Sequence, residues 1–171
     1  MLYFAYGSNM CNARLQGRVP SAQALQTATL TGYRFRFHKR SIDGSAKGNA
    51  FYTGNPEDVV YGVLFDIDAR EKAALDRAEG VGNGYAELAV SVSDATGIQR
   101  EAFMYIAENS AIDDQLFPYI WYKQLVLDGA RQHALPDEYV SQIEAIPATE
   151  DPDRARASKN AVILNHSEVE D

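Results

Sequence analysis

Short stretches in which apolar and polar residues alternate dominate the first two thirds of the chain. In the segment 33–38, three aromatic residues alternate with two arginines and a histidine, which is the period of two expected of a strand with one buried face. His38, Lys39 and Arg40 are interpreted as the solvated end of this strand rather than as a basic binding patch. Patterns bounded by turn-forming residues predict strands at 2–5, 22–30, 33–37, 49–53, 59–67, 85–93 and 100–106.

Helical periodicity replaces alternation in four places. The best defined helix begins at Asp68, whose side chain can cap the open N–H groups while Glu71 completes a capping-box pair, and it ends before Gly80. A short helix after the first strand is predicted to be capped by Ser8 or Asn9. The helices are predicted at about 9–16, 68–79, 118–129 and 136–146.

The order of these elements favours an α+β fold. Five to seven short strands without regular alternation with helices fit a closed or nearly closed β-barrel with helices packed outside. A chain of 171 residues fills one core, so we expect a single domain at 1–146. The polar segment 147–171, with an apolar run at 161–164 and an acidic end, is predicted to be an extended arm or disordered tail.

Composition and charge favour a protein that binds or converts small molecules. A net charge of −8 and a pI near 4.9 oppose non-specific binding to nucleic acid or to an anionic membrane. No apolar stretch approaches the roughly 20 residues that span a bilayer. One cysteine and no recognisable export signal fit a reducing, cytoplasmic setting. The oligomeric state stays open, with a homodimer as one alternative.

The opening of the chain is a candidate binding loop. An apolar strand at 2–5 runs directly into Tyr6-Gly7-Ser8-Asn9. Glycine permits backbone angles closed to other residues, and small side chains leave backbone N–H groups uncovered. Such a loop can hold an anion or a carbonyl oxygen.

Glu79 is a candidate for acid–base chemistry. It follows Leu75 by one helical turn, on a stripe expected to dock through Ala74, Leu75 and Ala78. A carboxylate at a helix C-terminus faces the negative end of the helix dipole, which is an unfavourable place for it without a functional reason. A solvent-facing Glu beside a glycine cap remains the alternative. The neighbouring acids Asp76, Glu71 and Glu87 are interpreted as ordinary surface residues.

Other chemical groups offer weaker signals. The three histidines, His38, His133 and His166, share no ligand spacing, so we expect no metal, and a Ser8 nucleophile has little support. Cys11 is interpreted as a packed thiol. The glycines at 80, 82 and 84 lack the Lys-Ser/Thr of a phosphate-binding loop.

Two separated motifs together resemble the gamma-glutamylcyclotransferases. Tyr6-Gly7-Ser8-Asn9-Met10 follows an N-terminal strand, and Leu75-Asp76-Arg77-Ala78-Glu79-Gly80 stands before Gly84-Tyr85. Tyr105 at the end of a later strand and Tyr122 in a helix extend the match. The resemblance covers roughly residues 2–146 and not the polar segment after them.

The resemblance implies a small mixed β-barrel flanked by helices and a reaction that needs no metal or cofactor. Members of the family cleave gamma-glutamyl amides by internal cyclisation, which releases 5-oxoproline and an amine. The resemblance assigns proton transfer to Glu79. The residues that it implicates in substrate binding are Tyr6, Gly7, Ser8, Asn9, Tyr85, Tyr105 and Tyr122.

Several alternatives stay open at this point. Related barrels act on gamma-glutamyl-lysine or glutathione, and Asn9 with Met10 leans toward the branch that acts on gamma-glutamyl amino acids. A barrel that binds small molecules without catalysis is a second alternative, against which Glu79 argues. A nucleic-acid-binding barrel is disfavoured by the charge. Whether the loop holds the γ-carbonyl or the α-carboxylate of the glutamyl group, and which amine is released, also stay open.

Overall fold

A closed five-stranded barrel forms the centre of the molecule. The computed structural model describes the backbone of residues 1–167 and the side chains of residues 1–164. Its strands are β1 (Leu2–Ala5), β2 (Gln23–Thr31), β3 (Tyr33–Arg40), β4 (Ala46–Tyr52), β5 (Val59–Asp66), β6 (Tyr85–Asp94) and β7 (Gln99–Ala107). Its helices are α1 (Asn12–Gln16), α2 (Lys72–Glu79), α3 (Ile120–Gln132), α4 (Asp137–Glu144) and α5 (Arg154–Ser167). Within the described residues, no helix is long and apolar enough to cross a membrane.

The barrel is mixed, and its strands follow the order β1-β5-β2-β6-β7. Most neighbours are antiparallel, as in the hairpin of β6 and β7, but β1 closes the barrel against β7 in parallel, with Tyr3 opposite Phe103. Both faces of the barrel wall are buried in places, since Phe4 and Val63 point to opposite faces and each is 0% exposed. The α+β barrel flanked by helices is confirmed.

Strands β3 and β4 form a separate hairpin whose far end departs from the predicted alternation. The register shifts between Phe37 and Lys39, so the hairpin contains a β-bulge at His38. His38 and Lys39 are 2% and 6% exposed. The prediction of a solvated strand end is therefore wrong at these two residues, since both side chains are buried at the bulge.

Helix α3 packs against the turn that follows β1. Its buried face includes Tyr122, Leu125 and Val126. Gly129, predicted to end this helix, lies inside it, and a Cβ there would stand 2.5 Å from the backbone nitrogen of Cys11. The glycine is required by this close approach of helix to loop rather than by a helix end. It lets α3 support the opening loop directly.

Helix α2 begins differently from its prediction and ends as predicted. Asp68 accepts a hydrogen bond from the Arg70 backbone N–H at 2.9 Å, and this caps a 3-10 turn before α2. Glu71 forms no capping box, because its carboxylate accepts from Ser21 across the chain. Gly80 ends the helix in the left-handed region at φ 74°. Of the predicted docking residues only Leu75 is fully buried, and Ala78 is exposed.

Helix α5 replaces part of the predicted arm or disordered tail. Its start is fixed by Asp151, whose fully buried carboxylate accepts from Trp121 Nε1 at 2.8 Å and from Arg156 Nε at 2.7 Å. Asp153 caps the first turn through the Arg156 backbone N–H. Apolar residues are too sparse in this helix to show a stripe in the sequence, which hid it. The acidic end at 168–171 lies outside the described residues.

The contacts of Asp151 with Trp121 and Arg156 can be tested for their contribution to the stability of α5. The Arg156 guanidinium lowers the pKa of Asp151 to about 2, so the carboxylate is ionised at neutral pH. We expect Asp151→Asn to weaken the ion pair and to raise amide hydrogen exchange across residues 154–164 at least tenfold. Asp153→Asn is the matched control, because asparagine also caps helices. Unchanged protection in Asp151→Asn would contradict this anchor.

Candidate active site

One narrow cavity of about 20 Å³ collects the candidate residues from the sequence. It lies where the loop after β1 meets the end of α2 and the start of α3. All eight predicted site residues line it, together with Tyr3 and Gly48: Tyr6, Gly7, Ser8, Asn9, Glu79, Tyr85, Tyr105 and Tyr122. The fold thus brings together side chains that span more than 110 positions of sequence.

The opening loop presents unused backbone donors to this cavity. Ser8–Met10 forms a 3-10 turn, and the first N–H groups of such a turn have no partner inside it. Within residues 1–167, the backbone N–H groups of Gly7, Ser8 and Asn9 have no hydrogen-bond acceptor. The predicted capping by Ser8 or Asn9 is wrong, since α1 starts after Cys11 without a side-chain cap. Both side chains face the site instead.

Glu79 is held at the cavity by a triangle of polar contacts. Its Oε1 accepts from Asn9 Nδ2 at 2.9 Å and pairs with the Arg18 guanidinium, and Arg18 also donates to Asn9 Oδ1 at 2.7 Å. The Glu79 side chain is 17% exposed, so a ligand can reach it. Its second oxygen, Oε2, has no hydrogen bond to any described residue. One oxygen is thus fixed and the other is open to proton transfer.

Buried tyrosines form the neutral wall of the cavity. Tyr85 donates to the Gly48 carbonyl oxygen at 2.5 Å, while the Gly48 N–H donates to the Tyr122 hydroxyl at 3.1 Å. Burial raises the pKa of Tyr6, Tyr85 and Tyr122 above the ordinary value for tyrosine. These hydroxyls therefore stay protonated at neutral pH and act as hydrogen-bonding groups rather than as bases.

Asp76 was interpreted as an ordinary surface residue, and this interpretation is wrong. Its carboxylate accepts from the Tyr105 hydroxyl at 2.7 Å and pairs with Lys72. Burial and the Asp76 contact raise the pKa of Tyr105. Glu87 pairs with the same Lys72 at the surface, as an ordinary ion pair would. Asp76 therefore orients one of the tyrosines that line the cavity.

Three further residues of the site escaped the sequence interpretation. Tyr3 lies on β1 and accepts from Asn9 Nδ2 at 2.9 Å. Arg14 donates from Nε to Ser8 Oγ at 3.0 Å, and Arg18 pairs with Glu79. The available signal was the spacing of Arg14 and Arg18, since residues four apart near a short helix share one face. Nothing in that spacing identified Glu79 as their partner.

The mouth of the site is a second cavity of about 100 Å³ that shares Ser8, Glu79, Tyr85 and Tyr122 with the first. The charged groups that line it are Glu79 and four cations: Arg14, Arg18, Lys39 and Lys47. Arg36 and His38 line neither cavity. The mouth is therefore strongly basic within an acidic protein.

His38 and His133 lie apart from this site. The two rings of His38 and His133 face different partners, Asn49 and the Met10 carbonyl oxygen. No described histidine lines either cavity. Among residues 1–167, no group of three histidine, cysteine or acidic side chains is placed to hold a metal ion.

Comparison with known proteins places this cavity in context. The model of the AIG2-like family matches residues 59–143. A mouse gamma-glutamylcyclotransferase is 31% identical over 153 residues, which are 87% of this chain and 80% of the mouse protein. The human gamma-glutamylcyclotransferase is 32% identical over 149 residues, 85% of this chain and 78% of its own length. The chain belongs to the gamma-glutamylcyclotransferase family.

The three-dimensional comparison agrees with this membership. A solved structure of a gamma-glutamyl cyclotransferase superposes with a TM-score of 0.84 at 26% sequence identity, covering 96% of this chain and 98% of that one. The barrel and helices expected of a gamma-glutamylcyclotransferase are therefore present along almost the whole length. The resemblance inferred from the two sequence motifs is confirmed.

Proposed function

We propose that this chain cleaves gamma-glutamyl amides by internal cyclisation, with Glu79 as the group that moves the proton. The observation that carries the proposal is the position of the Glu79 carboxylate, hydrogen-bonded to Asn9 of the opening loop, in one cavity with the loop's unused N–H donors. Membership in the gamma-glutamylcyclotransferase family supports the same activity.

The reaction needs one proton carrier and no water. The α-amine nitrogen of the glutamyl group attacks its own γ-carbonyl carbon, a new carbon–nitrogen bond closes the five-membered ring, and the original amide bond breaks. The attacking nitrogen loses a proton and the leaving nitrogen gains one. A single carboxylate can take the first and return it to the second, and such acid–base catalysis contributes about 10²–10⁴-fold.

Glu79 suits this role through the difference between its two oxygens. Oε1 is occupied by Asn9 and by the positive charge of Arg18, which keeps the side chain in place. Oε2 is free of hydrogen bonds within the described residues and can accept the proton. Because Glu79 lines both cavities, the same oxygen can serve the attacking amine in the inner cavity and the leaving amine at the mouth.

The opening loop would hold the glutamyl group in a folded conformation. Ring closure is intramolecular, so orientation supplies much of the rate, up to about 7–11 kcal/mol in well-aligned systems. The N–H groups of Gly7, Ser8 and Asn9 are available to the developing oxyanion or to the α-carboxylate. Loss of one oxyanion donor typically costs about 2.7–4 kcal/mol. The tyrosine wall excludes water that would otherwise compete with the amine.

A serine nucleophile fits this site less well. Ser8 Oγ accepts a hydrogen bond from Arg14 Nε, which is a charged donor and cannot remove the hydroxyl proton. No histidine in the described part of the chain lines the cavity to serve as its base. The geometry therefore favours cyclisation over a covalent acyl-enzyme.

The first test is Glu79→Gln. We expect kcat for 5-oxoproline release from gamma-glutamyl-alanine to fall at least 10²-fold, because glutamine keeps the shape and the Oε1 acceptor but cannot carry a proton. The thermal unfolding temperature checks that the fold is retained. Glu101→Gln, at an exposed position of β7, is the matched control and should leave kcat unchanged. Wild-type turnover by Glu79→Gln would overturn the mechanism.

The same assay distinguishes the alternatives of substrate and function. Wild-type protein is incubated with gamma-glutamyl amino acids, glutathione and gamma-glutamyl-lysine, and 5-oxoproline is followed by mass spectrometry. If only glutathione or only gamma-glutamyl-lysine is turned over, the chain has the activity of the related barrels that act on that substrate. A silent panel would contradict catalysis and favour a binding protein on the same barrel.

The second test is Gly7→Ala. A Cβ at Gly7 would meet only the Tyr122 hydroxyl, at 3.8 Å, so the free protein has room for a methyl group. That methyl would occupy the cavity beside the loop donors, and we expect KM to rise at least tenfold with little change in thermal stability. An unchanged KM would show that the loop does not hold the glutamyl group.

A further inference from the structure

Lys39 is a buried cation without an acidic partner. The residue is 6% exposed, and its ammonium lies 4.6 Å from the centre of the Tyr85 ring. None of the carboxylates in residues 1–167 forms an ion pair with it, and no described acceptor makes a hydrogen bond with it. Burying a charge costs free energy unless a partner compensates it. The fold thus holds the buried ammonium of Lys39 at the mouth of the site without an ion pair.

The other three cations of the mouth all have hydrogen-bond partners. Lys47 pairs with Asp43 at 2.7 Å, and Arg18 pairs with Glu79. Arg14 donates only to neutral groups, on Ser8 and Asn160. The four cations of the mouth therefore face two carboxylates, those of Glu79 and Asp43. This excess of positive charge stands in a chain whose net charge is −8, so it is a local feature rather than a reflection of composition.

The bulge in β3 gives Lys39 its position. The register of the hairpin shifts between Phe37 and Lys39, and bulges of this kind commonly redirect side chains beside active sites. Gly84 leaves the space for the lysine, since a Cβ there would stand 3.0 Å from Lys39 Cε. Burial lowers the pKa of the Lys39 ammonium, and the charges of Glu79, Asp43 and Glu108 oppose that shift only in part.

We propose that Lys39 binds a carboxylate on the amine half of the substrate and so selects gamma-glutamyl amides whose leaving amine is an amino acid. This inference rests on the proposed function. The bond that breaks must lie beside Glu79, which lines both cavities. With the glutamyl group in the inner cavity, the amine half extends into the mouth, where Lys39 is the cation that has neither a hydrogen bond nor an ion pair among the described residues. Lys39 is thus a specificity-determining residue.

The test compares two substrates that differ only in the carboxylate. Gamma-glutamyl-alanine and gamma-glutamyl-ethylamide share the glutamyl group and the ethyl skeleton of the amine. We expect wild type to prefer the alanine compound at least tenfold in kcat/KM. Lys39→Met keeps the length of the side chain and removes the charge, and it should lower kcat/KM for the alanine compound at least tenfold and for the ethylamide less than twofold. Lys159→Met, at an exposed position of α5, is the control.

Each other outcome overturns the proposal. Equal losses on both substrates would assign Lys39 to the glutamyl half, and no loss on either would leave it without a role in recognition. Misfolding is checked by thermal unfolding, in which Lys39→Met should be at least as stable as wild type because an unpaired buried charge has been removed. A large drop in stability together with equal losses would assign Lys39 to structure.

Failure of the proposed function is recognised separately. If wild type releases no 5-oxoproline from either compound, the cyclisation is wrong, and the two compounds are then titrated calorimetrically into wild type and Lys39→Met. Tighter binding of the alanine compound that is lost in Lys39→Met would still support the carboxylate site. Equal affinities in both proteins would overturn it.

Discussion

The hydrogen bond between Asn9 and Glu79 joins the two halves of the site across 70 positions of sequence. Asn9 belongs to the loop after β1, and Glu79 is the last residue of α2. Neither element could fix the other by local structure, because one is a 3-10 turn and the other is a helix end. Arg18 reinforces the contact by binding both side chains. The proposed mechanism depends on this contact, since it sets the distance between the loop proposed to hold the substrate and the carboxylate proposed to move its proton.

The surrounding fold keeps that contact rigid. Gly129 allows α3 to approach the backbone at Cys11, so the loop rests on a buried helix and not on solvent. The pairing of β1 with β7 holds Tyr3, whose hydroxyl accepts a hydrogen bond from Asn9. The fully buried Leu75 anchors α2 in the core. A preorganised site of this kind avoids the free-energy cost of assembling itself at each turnover.

The features of the site that neighbouring residues determine could be predicted from the sequence. The glycine after Glu79 and the strand before Tyr6 defined both motifs, and the family resemblance then linked them. The partners of Glu79 could not be predicted, since Arg18 lies beyond the end of α1 and its direction is set by tertiary packing. The bulge at His38 interrupts the alternation of β3, and it buries His38 and Lys39 in a strand end whose charges predicted exposure. Helix α5 was missed because a buried ion pair of Asp151 and Arg156, rather than an apolar stripe, holds its start.

Isotope labelling tests the central claim most directly. Gamma-glutamyl-alanine is turned over in water enriched in oxygen-18, and both products are weighed by mass spectrometry. Internal cyclisation predicts unlabelled 5-oxoproline and alanine in equal amounts, because no water enters the reaction. Glutamate that carries one oxygen-18 in its γ-carboxylate would instead show hydrolysis, and it would contradict the role assigned here to Glu79 and the opening loop.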